Sequence, residues 1–343
     1  MKTFRAILSF SLLAWAALPA GAQTVPGTGR PSTAADISLT FLGTGAPRPS
    51  LKRYGPSILV ETDKHRLLVD AGSGLRERVY QAGAFALLTS IDHVLVTHLH
   101  YDHTIGLPDL WLSGWLYGRR VPLRVQGPPG MKAMMDDLVH MYQWDLEYRD
   151  VVGVPLQGAE IVAEDVMPGV IYEREGLKVT AFDVEHMPIH AETGAALDFR
   201  GRTYGFRIDY KGRSVVFSGD TRPSENLVEL GRGADILIHE VQVPATESTP
   251  EARLANVSLS VHSTPEQAAG IFKRAAPRMA VYSHIIPPGA TSEELMALTR
   301  PTYGGPLTVA HDLMQIDIGD TIDIHDRELP GEVVFETTGV IKK

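Results

Sequence analysis

Residues 97–103 read Thr-His-Leu-His-Tyr-Asp-His, a run dense in side chains that can hold a metal ion. The run closes the Val-rich segment Ile91 to Thr97, which predicts a β-strand, and precedes Ile-Gly-Leu-Pro at 105–108. Three histidines and one aspartate occupy positions 98–103, although the whole chain has only 13 histidines. Imidazole and carboxylate ligands suit Zn²⁺, and also Mn²⁺ or Fe. The run therefore predicts a metal-binding turn at the end of a strand.

This turn offers ligands for two ions. Alternate side chains just beyond a strand can point to one side, so His98 and His100 can hold one ion while Asp102 and His103 face a second. Two ions need more ligands than one turn provides, and the remaining ligands must come from other parts of the chain.

Three further candidates each stand just after a predicted strand: His186, Asp220 and His284. The carboxylate of Asp220 can bridge two ions with one oxygen on each. His186 would complete the first ion's ligands and His284 the second's, whereas His190 is the weaker candidate of the pair at 186 and 190. Two adjacent cations lower the pKa of a bridging water and stabilise negative charge on the attacked centre. The predicted reaction is hydrolysis by a bridging hydroxide.

The chain lacks cysteine, which excludes thiol nucleophiles, disulfides and iron–sulfur clusters. From Asp36 onward, strand patterns alternate with helical ones, including a predicted helix over Leu75 to Ala82 that stops at Gly83. Long linkers are absent from the sequence. We therefore expect residues 36–343 to form one α/β domain made of two similar halves.

The N-terminus is typical of an exported protein. Residues 1–22 combine a short basic start, the apolar run Ala6 to Leu18 and a small-residue cleavage pattern that ends at Ala22, as in a signal peptide. Residues 23–35 are rich in Gly, Pro, Ser and Thr and predict a flexible arm. These features predict a periplasmic or secreted protein that does not remain in the membrane after cleavage.

Several motifs resemble those of the metallo-β-lactamase superfamily and, within it, the ribonuclease Z-like branch that includes metallo-type arylsulfatases. The resemblance implies an αββα sandwich with a two-metal site, most simply two Zn²⁺, at one edge of the sheets. The motifs are Phe-Leu-Gly-Thr-Gly at 41–45, Asp-Ala-Gly at 70–72, the run at 97–103, Ser-Gly-Asp-Thr-Arg-Pro at 218–223, His-Glu at 239–240, His-Ser-Thr at 262–264 and Ser-His at 283–284.

The resemblance also implies a role for each site residue. Asp102 would steer the attacking hydroxide, and Asp70 would orient the ligand turn. His262 would protonate the leaving group, with Glu240 tuning it. The implied ligands are His98, His100 and His186 for the first ion, Asp102, His103 and His284 for the second, and Asp220 between them.

The expected substrate is a small anionic sulfate or phosphate ester. Transfer-RNA-processing members of the branch carry a long basic arm, and neither 145–185 nor 186–220 resembles it. The formal net charge is −9, whereas proteins that hold nucleic acid by bulk electrostatics need clustered Lys and Arg. We therefore expect no nucleic-acid partner. Relatives commonly dimerise, so a homodimer is one expectation for assembly.

Three alternatives remain open on the sequence. A lactonase or β-lactamase acting on neutral cyclic substrates would use much the same ligands. A metal-dependent oxidoreductase is a second alternative, although diiron flavoprotein relatives usually carry Glu where this chain has His100. A non-catalytic metal-binding protein is the third.

Overall fold

The computed structural model describes residues 35–187, 201–245, 258–287 and 289–327. Eight strands build the first sheet, in the spatial order β15-β14-β1-β2-β3-β4-β5-β6, and those from β3 to β6 run parallel. Their bounds are β1 (Ile37–Gly43), β2 (Ser57–Glu61), β3 (Arg66–Val69), β4 (His93–Leu95), β5 (Leu123–Gly127), β6 (Ile161–Asp165), β14 (Met314–Ile318) and β15 (Ile322–Asp326).

Seven strands build the second sheet, in the order β13-β12-β11-β10-β9-β8-β7. Strands β10 to β13 are parallel, so their carboxyl ends share one edge, as those of β3 to β6 do in the first sheet. The bounds are β7 (Gly169–Arg174), β8 (Leu177–Asp183), β9 (Tyr204–Tyr210), β10 (Arg213–Phe217), β11 (Ile236–Gln242), β12 (Met279–Ile286) and β13 (Leu307–Val309).

Helices cover the outer faces of both sheets. They are α1 (Leu75–Leu88), α2 (Tyr101–Thr104), α3 (Leu107–Tyr117), α4 (Met131–Met141), α5 (Gln143–Val151), α6 (Glu225–Gly231), α7 (Pro265–Ala275) and α8 (Ser292–Thr299). The predicted break at Gly83 is present, but it involves only Gly83 and Ala84, and α1 resumes beyond it. Helix α7 starts with Pro265, and Thr264 and Gln267 form a capping box at its N-terminus.

Successive side chains of the central strands point to opposite faces of each sheet, which gives the fold four layers. Leu67 and Val69 face the other sheet, where they meet Ile236 in the inner core. Leu68 points the opposite way into the core beneath α1 and α3, and Leu237 does the same beneath α6 and α7. Each such buried side chain contributes about 2 kcal/mol of hydrophobic stabilisation. The predicted αββα sandwich is confirmed.

The predicted signal peptide, residues 1–22, lies outside the described residues, as does nearly all of the predicted arm at 23–35, and both stay predictions. Within the described ranges, no helix has the length and apolar character needed to cross a membrane.

Candidate metal centre

The predicted ligands meet at the edge where the parallel strands end. His98 follows β4, His186 follows β8 and Asp220 follows β10, while His284 lies near the end of β12. Of the remaining three, His100 is the N-cap residue of α2, and Asp102 and His103 lie within that helix. Two groups of metal-competent side chains result, each with its ligand atoms within 4.8 Å of one another. His190 lies outside the described residues.

The first group contains three imidazoles and one carboxylate. His98 Nε2 lies 2.9 Å from His100 Nδ1, and His186 Nε2 lies 3.4 Å from the same atom of His100. Asp220 Oδ2 is 3.7 Å from His98 Nε2. These four side chains could hold one metal ion.

The second group contains Asp102, His103 and His284. Asp102 Oδ2 lies 3.6 Å from His103 Nε2 and 3.3 Å from His284 Nε2. Asp220 borders this group too, because its Oδ2 is 3.5 Å from His103 Nε2 and its Oδ1 is 3.5 Å from His284 Nε2. Asp220 therefore stands between the two groups, as a bridging carboxylate would.

Backbone geometry explains how Asp220 reaches this position. Gly219 has a φ of 58°, and a Cβ there would lie 2.5 Å from the carbonyl oxygen of Tyr204. Only glycine fits so tight a turn. His284 itself has a φ of 47°, which is unusual for a residue other than glycine and is typical of functional positions.

Unsatisfied polar atoms at the centre indicate that the site fits metal ions. Within the described part of the chain, His103 Nε2 and Asp220 Oδ1 are buried and have no hydrogen-bond partner. Buried polar atoms in folded proteins are almost always paired. The imidazole and carboxylate donors match the ligands of Zn²⁺ and related ions. The two groups therefore suit a pair of metal ions.

Charge is distributed unevenly among these ligands. Burial lowers the pKa of His98 well below its ordinary value and that of His186 to about 4, so both are neutral and ready to bind a cation. Burial opposes charge on His103 too, but Asp220 and Asp70 outweigh it and raise its pKa well above the ordinary value. Burial likewise disfavours a charged Asp220, and the neighbouring histidines reverse this by lowering its pKa.

His262 and Glu240, predicted as catalytic residues, form a pair beside the metal ligands. His262 Nδ1 lies 3.4 Å from Glu240 Oε1 and 4.0 Å from Asp220 Oδ2. Burial works to lower the pKa of His262, but Glu240 prevails and the pKa rises to about 9. Glu240 Oε1 is fixed because it accepts hydrogen bonds from the backbone N–H groups of Ser263 and Thr221.

The sequence did not reveal Asp312, which shapes the mouth of the site. Its carboxylate accepts hydrogen bonds from the backbone N–H groups of Thr44 and Tyr54 at 3.0 and 2.8 Å, and it lies 3.0 Å from an Arg78 nitrogen. These contacts close the neck of the 45–53 loop. No local motif could have identified this residue, because the loop it holds is more than 250 positions away.

The 45–53 loop lies against the metal-binding turn. Tyr101, which is 62% exposed, donates a hydrogen bond from its hydroxyl to the carbonyl oxygen of Pro47 at 3.2 Å. Arg48 and Lys52 in the loop are exposed. The loop that carries these two cations therefore contacts an aromatic residue that is adjacent in sequence to the candidate ligands His100 and Asp102.

Sequence and structure comparisons find relatives that share this fold. A family model described as a beta-lactamase superfamily domain matches residues 65–285. A ribonuclease Z of Mycobacterium sp. (strain KMS) is 33% identical over 311 residues, covering 88% of this chain and 100% of the relative. Zinc-bound PqqB of Methylobacterium extorquens has a TM-score of 0.60 at 20% identity, covering 82% of this chain and 100% of that one. The short form of human tRNase Z has a TM-score of 0.58 at 23% identity, covering 82% and 99%.

These relatives correct two predictions. The prediction that the chain hydrolyses small sulfate or phosphate esters is wrong, because relatives matched along their whole length are ribonucleases Z, whereas export stays a prediction. The expectation of no nucleic-acid partner is contradicted by the same finding. Both predictions relied on the net charge, the predicted export and the absence of a long basic arm, and none of these describes the local charge at the site.

Other predictions are confirmed. The chain is a metal-dependent hydrolase that acts on ester bonds, which leaves the oxidoreductase and the non-catalytic alternatives without support. The motifs quoted from the sequence fall within the matched region or close to it. The chain belongs to the metallo-β-lactamase superfamily and, within it, to the ribonuclease Z branch.

Proposed function

We propose that this protein is a metal-dependent endonuclease that hydrolyses phosphodiester bonds in RNA, with transfer-RNA precursors as its substrate class. The observation that carries the proposal is the 33% identity to a ribonuclease Z whose entire length is covered. A relative matched only in its metal-binding core would support the fold and the ions alone. Coverage of the whole relative extends the likeness beyond the metal-binding core.

The two groups of side chains around Asp220 are proposed to hold two divalent ions, with Zn²⁺ as the first candidate and Mn²⁺ or Fe as the others that these ligands suit. The proposed ligands are His98, His100, His186, Asp102, His103, His284 and the bridging Asp220. When bound, such a pair of ions lowers the pKa of water and stabilises negative charge on the attacked phosphate.

His262 is the proposed general acid. Its Nδ1 faces Glu240 at 3.4 Å, so Nε2 is the nitrogen left to carry a proton toward the substrate. In the proposed reaction, water loses a proton to the solvent and its oxygen attacks the phosphorus, the bond from phosphorus to the leaving oxygen breaks, and that oxygen takes the proton from His262, which regains one from the solvent. Asp102 is proposed to orient the attacking water through its carboxylate, and Glu240 to keep His262 charged.

The surface beside the ions supports an extended anionic substrate. Arg48 and Lys52 are exposed on the loop that contacts Tyr101, and Tyr101 is next to the ligands His100 and Asp102. Lys and Arg neutralise backbone phosphates, and an exposed aromatic ring can stack on an unpaired base. These side chains would hold the RNA next to the bond that is cut.

The test is cleavage of a precursor transfer RNA with a 3′ trailer by purified, zinc-reconstituted protein. An unstructured RNA of equal length and bis(4-nitrophenyl) phosphate serve as comparison substrates. We expect cleavage at a defined position in the precursor and none with the Asp220→Ala variant, which also controls for contaminating ribonuclease. Hydrolysis of the small diester without cleavage of either RNA would overturn the proposal.

A further inference from the structure

The hydroxyl of Thr97 occupies a special position immediately before the first metal ligand. Thr97 is 1% exposed, and its Oγ1 lies 3.0 and 2.9 Å from the two carboxylate oxygens of Asp70. The same Oγ1 is 3.1 Å from His98 Nδ1. The backbone N–H of Thr97 also donates to Asp70 Oδ1 at 2.8 Å, which fixes the position of the hydroxyl.

The hydrogen bonds of the Thr97 hydroxyl fix the tautomer of His98. An ionised carboxylate accepts hydrogen bonds and donates none, so the single proton of the Thr97 hydroxyl goes to Asp70. Oγ1 is then an acceptor toward His98, and the contact at 3.1 Å requires a proton on Nδ1. His98 Nε2 is left unprotonated, and this is the atom that faces His100 in the first group of ligands.

Asp70 also contacts a ligand of the second group, His103, directly. Its Oδ2 lies 2.9 Å from His103 Nδ1, whereas Thr97 Oγ1 is 3.4 Å from that nitrogen. The shorter contact shows that the N–H of His103 Nδ1 donates to Asp70, and Nε2 is left facing Asp102. One carboxylate thus orients a ligand in each group, directly for His103 and through the Thr97 hydroxyl for His98.

We infer that Thr97 is a positioning residue that selects the metal-binding tautomer of His98 and thereby sets the affinity of the first ion. The inference rests on the ligands assigned in the proposed function. Because His103 donates its hydrogen bond directly to Asp70, loss of the Thr97 hydroxyl affects the two ions unequally. Loss of the Asp70 charge affects both.

Zinc titration of the metal-free protein separates these effects. In Thr97→Val, which keeps the shape but not the hydroxyl, one of two Zn²⁺ ions should bind about 10–100-fold more weakly, as is usual when a hydrogen bond to a ligand is lost. Thr97→Ser should bind both ions as the wild type does, and Asp70→Asn should weaken both. Thr299→Val is the matched control, because it removes a buried hydroxyl that pairs with Tyr282.

The ring-nitrogen NMR signals of His98 in the metal-free wild type give a second readout that needs no variant to fold. They should show the proton on Nδ1, and in Thr97→Val they should show a mixture of tautomers. A proton on Nε2 in the wild type, or two wild-type zinc affinities in Thr97→Val, would overturn the inference. A wild type that binds no zinc would instead refute the ligand assignment of the proposed function.

Discussion

His262 Nδ1 lies 3.4 Å from Oε1 of Glu240, and both side chains are buried beside the metal ligands. Backbone N–H groups of Ser263 and Thr221 fix the carboxylate, so it cannot turn away from the imidazole. The contact raises the pKa of His262 to about 9 from an ordinary value of 6.5, against the opposing effect of burial. The imidazole therefore carries its proton throughout the neutral range.

The raised pKa of His262 predicts the pH at which the rate falls on the alkaline side of the pH–rate profile. A general acid must be protonated, so kcat on RNA should fall as the pH rises through about 9. In Glu240→Gln the fall should move toward pH 6.5, because the charge that holds the proton is gone. Glu225→Gln, at an exposed carboxylate paired with Arg274, should leave the profile unchanged. An alkaline limb that stays in place in Glu240→Gln would exclude His262 as the acid tuned by this contact.

The same pair predicts how stability depends on pH. Because the pKa of His262 is raised on folding, its contribution to the free energy of unfolding is fully present below about pH 6.5 and is lost as the pH rises through about 9. Urea unfolding of metal-free protein at pH 6, 7.5 and 9.5 should show this loss, and His262→Gln should show less of it. Equal losses in the two proteins would contradict the prediction.

Asp220 is expected to be the residue whose removal affects both ions. Its two oxygens lie within 3.7 Å of ligand nitrogens from His98, His103 and His284. Asp220→Asn keeps the shape but loses the charge, so bound zinc should fall at both positions and kcat should drop by at least ~100-fold, the upper range for residues that only support a ligand. Metal analysis and kinetics check this, with His140→Ala as an exposed-histidine control. Full metal content in Asp220→Asn would contradict a bridging role.

Local patterns identified the candidate ligands before the structure was known, for a physical reason. Four of them fall within the 98–103 run, and Asp220 follows a strongly apolar strand after the short turn Ser218-Gly219, so strand-end placement is enough to group them. Local patterns did not identify Thr97 and Asp312. Their importance comes from contacts with Asp70 and with the 45–53 loop, and such contacts depend on packing rather than on spacing.

The substrate class was the least predictable property, because the net charge does not describe local charge. The net charge of −9 covers the whole chain and does not show that Arg48 and Lys52 are exposed on the loop whose Pro47 carbonyl accepts a hydrogen bond from Tyr101. A long basic arm would have been visible as a run in the sequence. A short loop brought to the site by long-range contacts is visible only in the fold.

Asp312 should support the loop without taking part in the chemistry. Its side chain is 3% exposed and lies 3.0 Å from a nitrogen of the largely buried Arg78. Asp312→Ala would leave that cation and the N–H groups of Thr44 and Tyr54 without their acceptor, at a cost of about 3 kcal/mol in stability. Thermal unfolding should show the loss, whereas Asp320→Ala, at a fully exposed aspartate, should change little. In kinetics, KM for RNA should rise while KM for bis(4-nitrophenyl) phosphate stays near the wild-type value. Equal effects on both substrates would place Asp312 in the structure of the metal centre itself.

Arg48 and Lys52 should contribute to RNA binding through phosphate charge alone. Each neutralised phosphate releases counterions, so the slope of log affinity against log salt should become shallower by about 1 for each residue removed. We therefore expect Arg48→Ala/Lys52→Ala to weaken RNA binding most at low salt, with kcat on the small diester unchanged. Arg174→Ala, at an exposed arginine on the edge strand β7, removes one charge and is the control for the net-charge effect of each single variant, Arg48→Ala and Lys52→Ala. An unchanged salt slope in the double variant would show that the RNA passes elsewhere. A slope that changes as much in Arg174→Ala as in each single variant would show that overall charge, and not the loop beside Tyr101, governs binding.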